Sequence, residues 1–241
     1  MTGDPRVDDL GFARLDIERA ARTGDTETVY GAGKTAEQVV TILAKLHERH
    51  PDRAVLATRL SDEAIVAVAA IGADVDPIAR AATLGPLPSP TGRVAIVSAG
   101  TSDRPVAAEA ALTVRVYGAE VDQIDDVGVA GLHRVLGVRD RLTAADCLIV
   151  VAGMEGALPS VVGGLTGVPL VAVPTSVGYG ASFGGVAALL AMLNSCAPGV
   201  TVVNIDNGYG AGVFAARVAR NARPRPAPDS PERSTSPEAE I

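Results

Sequence analysis

Residues 94–103 read Val94-Ala-Ile-Val-Ser-Ala-Gly-Thr-Ser-Asp103: an apolar run that breaks into a small polar turn. Pro105 follows, a residue suited to a first helical turn, and residues 105–117 carry a helical pattern. The same order then repeats along the chain. Strand-like runs at 119–124, 147–151, 168–173 and 200–205 alternate with helical segments at 129–136, 183–194 and 212–221. Continuous apolar strands separated by helices predict a parallel sheet covered on both faces. Such sheets bind ligands at the carboxyl ends of their strands. The chemistry is therefore expected just after Val97, Val151, Val173 and Ile205.

Outward from this core the pattern changes. Pro86, Pro88, Ser89 and Pro90 close one region and open the next. Residues 1–90 predict a small α/β or mostly helical lobe: helices at 10–21, 35–47 and 61–71, with Ser61 as N-cap, and a strand at 53–59. Residues 91–222 form the larger domain. Residues 223–241, rich in Pro and without apolar periodicity, are expected to be a disordered tail.

The 241 residues carry a formal net charge of −7, which argues against a nucleic-acid backbone as partner. A small anionic ligand held by backbone amides is not excluded. No apolar run reaches the roughly 18 residues of a membrane helix, and the acidic, polar start does not read as a signal peptide. Two cysteines, Cys147 and Cys196, make no disulfide framework and suit a reduced cytoplasm.

Four glycine-bearing loops at four strand ends outline one site. Ser98, Gly100, Thr101, Ser102 and Asp103 lie where exposed amides and a helix start favour an anion, with a simple N-cap as the other reading. Gly153 and Met154 precede Glu155, an acid between glycines, which is poor packing material. Ser176, Gly178 and Tyr179 belong to a stretch that lets a flat ligand approach the backbone. Asn207 lies in the last such loop. Cys147, inside an apolar strand, reads as core. Cys196 follows a helix C-terminus, which disfavours a thiolate unless a cation is close. His133 is a further candidate. Gly31-Ala-Gly-Lys34-Thr35 lacks the first glycine of a phosphate loop, since Thr28 holds that position, so a turn into a helix is expected. No His/Cys cluster has zinc spacing.

The 91–222 region resembles the aminoimidazole ribonucleotide carboxylase fold in its Ser-Asp turn and in the glycine-rich stretch before Leu158-Pro159. That likeness implies a three-layer, flavodoxin-like domain. It departs where those carboxylases carry a His before the Leu-Pro pair, because the residue here is Ala157. A closer resemblance is to the carboxylase/hydrolases of nickel-pincer cofactor biosynthesis, the pyridinium-3,5-biscarboxylic acid mononucleotide synthases. It rests on Val29-Tyr-Gly-Ala-Gly-Lys-Thr35, Ser98-Ala-Gly-Thr-Ser-Asp103, Gly153-Met-Glu-Gly-Ala-Leu-Pro159, Ser176-Val-Gly-Tyr-Gly180 and Leu193-Asn-Ser-Cys196.

This second resemblance implies an enzyme that carboxylates nicotinic acid adenine dinucleotide with CO2 at ring carbon 5 and hydrolyses its phosphoanhydride, releasing AMP. By resemblance Cys196 is the nucleophile, adding to ring carbon 4. Glu155 is the loop acid, acting as base or as a metal contact. Phosphoanhydride hydrolysis commonly uses a divalent ion, so magnesium is expected, with no organic cofactor. The related carboxylases imply a homo-oligomer, with an octamer expected. Two rivals remain in view: an aminoimidazole ribonucleotide carboxylase or mutase, and a non-catalytic nucleotide-binding module.

Overall fold

The computed structural model describes residues 6–222; the expected tail at 223–241 lies outside the described residues. The chain opens with β1 (Val7–Asp9) and β2 (Arg14–Asp16), an antiparallel hairpin, followed by the short α1 (Arg19–Thr23). This corrects the helix expected at 10–21. Gly11 takes φ +81°, its N–H is held by the Asp9 carboxylate at 2.8 Å, and Leu10 bonds across the turn to Ala13. The tight turn thus interrupts the helical pattern, and Leu15 alone in β2 is buried.

Next come β3 (Val29–Tyr30), α2 (Ala36–Arg49), β4 (Val55–Thr58), α3 (Asp62–Ala70), β5 (Asp74–Asp76) and β6 (Ala81–Leu84). The sheet order is β3-β4-β6-β5, with only the β3–β4 pair parallel. Thr35 caps α2 in a reciprocal box with Gln38, and Ser61 caps α3 as expected. Val39, Leu43 and Leu46 of α2 bury against Val55 and Ala57 of β4. The lobe is therefore more strand-rich than the sequence suggested.

The larger domain runs β7 (Arg93–Ser98), α4 (Arg104–Val116), β8 (Glu120–Ile124), α5 (Leu132–Leu136), α6 (Arg139–Thr143), β9 (Cys147–Ala152), α7 (Leu158–Leu165), β10 (Leu170–Pro174), α8 (Val186–Leu193), β11 (Val200–Val202) and α9 (Gly208–Arg220). All five strands are parallel, in the order β11-β10-β9-β7-β8. This is the flavodoxin-like order. The chain reverses direction across the sheet between β7 and β9, which is where such folds open a crevice.

The strands are continuously apolar because alternate residues face two different cores. Ile96, Ile149 and Val173 pack under α4 and α9, while Val97, Val150 and Ala172 pack under α7 and α8. Small residues let α4 and α9 approach closely: a Cβ on Gly212 would stand 2.7 Å from that of Thr113. Leu56, Ala79 and Ala81 of the first lobe pack on Ala108 and Leu112 of α4. Asp25, 7% exposed, pairs with both Arg217 and Arg220 of α9 and ties the lobes together at a second point.

Candidate active site

The site begins with a buried acid. In the turn after β7, the Asp103 Oδ2 accepts the Gly100 N–H at 2.9 Å and its Oδ1 accepts the Thr175 hydroxyl at 2.7 Å. Thr175 follows β10, so one carboxylate joins two strand ends. Burial pushes the Asp103 carboxyl above its ordinary value; the Thr175 hydroxyl and the N–H groups of Gly100 and Gly153 pull it back, and the nearby Asp206 pushes it up. Ser98 is buried at the end of β7 and donates to Asp125 at 2.8 Å. Thr101 and Ser102 are exposed.

The loop after β9 packs tightly on the loop after β10. A Cβ on Gly153 would fall 2.4 Å from the Val177 carbonyl, so only glycine fits. Met154 holds the left-handed region at φ +54°, unusual for a non-glycine residue, and its N–H bonds Val177 at 2.8 Å. Local strain of this kind concentrates at ligand sites. Ser176 donates its N–H to the Asp206 carboxylate at 2.8 Å, which links in the loop after β11.

The segments after β7, β8, β9 and β10 line a cleft of about 450 Å³. Gly100, Ser102, Asp103, Gly153, Met154 and Glu155 line it together, and Ala157 lines it too. The structure adds Gly128, Val129 and Arg134 from the region after β8. Arg134 supplies the cleft with a cation, held by the carbonyl and carboxylate of Asp126 at 2.7 and 3.0 Å. His133, its neighbour, is exposed and does not line the cleft. The arginine, not the histidine that the sequence offers as a candidate, lines the cleft. The overlooked signal was Asp125-Asp-Val-Gly128, a fifth loop at a strand end.

Other candidates fall elsewhere. Ser176, Gly178 and Tyr179, expected at the site, are not among the residues that line the cleft, and Tyr179 is 79% exposed. Asn207 caps α9 through the Gly210 N–H and lines a different cleft, between the lobes. Cys196 is exposed in the loop after α8 and is not among the residues that line the main cleft. Its neighbour Ser195 bonds Ser160 of α7, Oγ to Oγ, at 2.7 Å. One chain therefore holds the thiol beside α7 and the acid Glu155 in the cleft. Cys147 is fully buried in β9, and burial pushes its thiol up to about 12. Among the described residues no group of three or more His, Cys, Asp or Glu could hold a metal.

A flavodoxin-like domain with its cleft at the carboxyl edge, carried with a small α/β lobe, defines the class: a two-domain α/β protein. Residues 93–228 match the AIR carboxylase family, and residues 7–85 match the LarB/PurE-like N-terminal domain. The chain belongs to the AIR carboxylase family, in this two-domain form, and so to a carboxylase-type family of enzymes. It is 42% identical over 219 residues to an uncharacterized protein of Methanocaldococcus jannaschii, covering 86% of this chain and 84% of that one. It is 32% identical over 130 residues to an N5-carboxyaminoimidazole ribonucleotide mutase of the same organism, covering 52% and 77%. No described helix is long and apolar enough to cross a membrane.

Proposed function

We propose that this carboxylase acts on nicotinic acid adenine dinucleotide, adding CO2 at ring carbon 5 and hydrolysing the phosphoanhydride to leave AMP and the dicarboxylated mononucleotide. The observation that carries the reading is Ala157 lining the cleft of an AIR carboxylase domain, at the position where, by resemblance, simple carboxylases carry His. An aminoimidazole is electron-rich and attacks CO2 without help. A pyridinium ring is not, and needs a nucleophile to add first.

The Cys196 thiolate adds to ring carbon 4, and the C–S bond forms as the pyridinium nitrogen takes the electron pair. The resulting dihydropyridine is an enamine at carbon 5, which attacks CO2. Loss of the carbon-5 proton to a base then restores the enamine, and the nitrogen lone pair expels the thiolate to restore the aromatic ring. The steps balance without an oxidant. Glu155, exposed at the cleft, is the proposed base, and Arg134 is the proposed contact for an anionic substrate group. Magnesium is expected only as a hydrated ion carried on the substrate's diphosphate.

Thiol and cleft are brought together by assembly. Tyr179, Phe183, Leu190 and Leu193 are each more than half exposed, an apolar strip beside Cys196 that suits burial against another copy. In the proposed homo-oligomer, an octamer, Cys196 of one copy serves the cleft of its neighbour. The test is incubation with the dinucleotide, bicarbonate and magnesium, or separately with aminoimidazole ribonucleotide, followed by mass spectrometry. AMP and a dicarboxylated mononucleotide from the first mixture support the reading; carboxylation of only the second supports the purine-pathway alternative.

A further inference from the structure

A second cleft lies between the lobes, on the α4/α9 side of the sheet. Its two connected parts, of about 380 and 230 Å³, share Tyr30, Arg59 and Glu109. Glu109 sits in a helical stretch that reads Ala-Ala-Glu-Ala-Ala and is 5% exposed. Its Oε2 accepts the Tyr209 N–H at 3.1 Å. Its Oε1, also buried, has no hydrogen-bond partner, and Arg59 Nε stands 3.4 Å away as an ion pair only. The Arg59 ion pair offsets the charge of this buried oxygen but leaves it without a hydrogen bond, which a ligand hydroxyl can supply.

The rest of the cleft indicates what brings the donor. Tyr30 is 55% exposed and carries the Lys34 ammonium 5.9 Å from its ring centroid. The Gly31-Ala-Gly-Lys34 loop is held down at Gly31, whose N–H bonds Thr58 at 2.8 Å and where a Cβ would clash with the Thr58 carbonyl. A flat ring on a fixed loop is a stacking platform for a base. A carboxylate beside it is the group that dinucleotide folds use for ribose hydroxyls. Asp206 lines the interlobe cleft, where its carbonyl accepts from Arg59, and its carboxylate accepts the N–H of Ser176, next to Val177 of the main cleft.

We infer that the interlobe cleft binds a purine nucleotide, with the base on Tyr30 and a ribose hydroxyl on Glu109. Resting on the proposed function for the ligand's identity, this ligand is the adenylate half of the dinucleotide, while the pyridine ring occupies the main cleft. The small lobe thus serves as a substrate-binding lobe.

The test is calorimetric titration of the full chain with AMP alone and with nicotinic acid mononucleotide, without turnover. AMP is expected to bind, and Tyr30→Ala and Glu109→Gln each to weaken it at least tenfold while mononucleotide binding is unchanged. Thermal melts establish that both variants are folded; Tyr30, being exposed, keeps the test valid should Glu109→Gln unfold. No AMP binding, or AMP binding untouched by Tyr30→Ala, overturns the inference. AMP binding as expected with no carboxylation of the dinucleotide overturns the proposed function and leaves the nucleotide site standing.

Discussion

The Thr175 hydroxyl donates to the buried carboxylate of Asp103 at 2.7 Å, fastening the loop after β10 to the turn after β7. Thr175→Val keeps the shape and removes the donor, leaving Oδ1 of a buried acid unsatisfied. Such a loss costs about 1–3 kcal/mol. Urea denaturation should show that drop, and kcat should fall with it because the cleft wall loosens. Unchanged stability would mean that the bond does not hold the site together.

Glu109 gives stability a pH signature. Burial raises its carboxyl above the ordinary 4.5, with Arg59 and the N–H groups of Tyr209 and Gly208 pulling it back. A raised acid binds protons more tightly folded than unfolded, so its contribution is lost as pH climbs from about 4.5 through the folded-state value. Asp8 and Asp16, lowered first by Arg49 and Arg22, work in the opposite sense at lower pH. The stability of Glu109→Gln relative to the native protein should therefore increase with pH above about 4.5. A difference that is flat across pH 4–8, measured by chemical denaturation, would contradict this account.

The two thiols should separate cleanly. Cys147 is buried, with its thiol held at about 12 by desolvation, whereas Cys196 is exposed. Only the thiolate reacts with alkylating agents. Iodoacetamide should label Cys196 alone in the native protein and both cysteines in denaturant. Native labelling of Cys147 would show that β9 opens readily.

Much of this was legible in the sequence, for a physical reason. A strand buried on both faces must be apolar throughout, so β7, β9 and β10 announced themselves, and glycines that admit no Cβ marked the loop at Gly153. Other features were hidden. The β1–β2 hairpin is too short to show alternation beside charged residues that also suit a helix. The α7 segment carries Pro159, Gly163 and Gly164, which weaken any helical reading. Arg134 and Glu109 acquire meaning only when the fold brings distant segments around them, although a lone acid among alanines was a usable sign of buried charge. The candidate Cys196 was visible, but its absence from the lining of the cleft that holds Glu155 was not.

The place of Cys196 outside that lining yields a prediction about assembly. Light scattering should give an octamer, and Leu193→Asp, on the exposed strip, should shift it to smaller species with loss of activity. Cys196→Ala and Glu155→Gln should each be inactive alone. Co-expressed in equal amounts, they should regain about a quarter of normal activity, because random mixing in a closed symmetric oligomer restores that share of sites. No recovery in verified mixed oligomers would place both groups on one chain.

The central claim is covalent carboxylation of a pyridinium ring by Cys196. The most direct measurement is mass spectrometry of native protein and Cys196→Ala after incubation with nicotinic acid adenine dinucleotide, bicarbonate and magnesium. The native protein should release AMP and the dicarboxylated mononucleotide, with a cysteinyl–pyridine adduct mapped to Cys196, and Cys196→Ala should form neither the adduct nor the dicarboxylate. Normal carboxylation by Cys196→Ala would contradict the account.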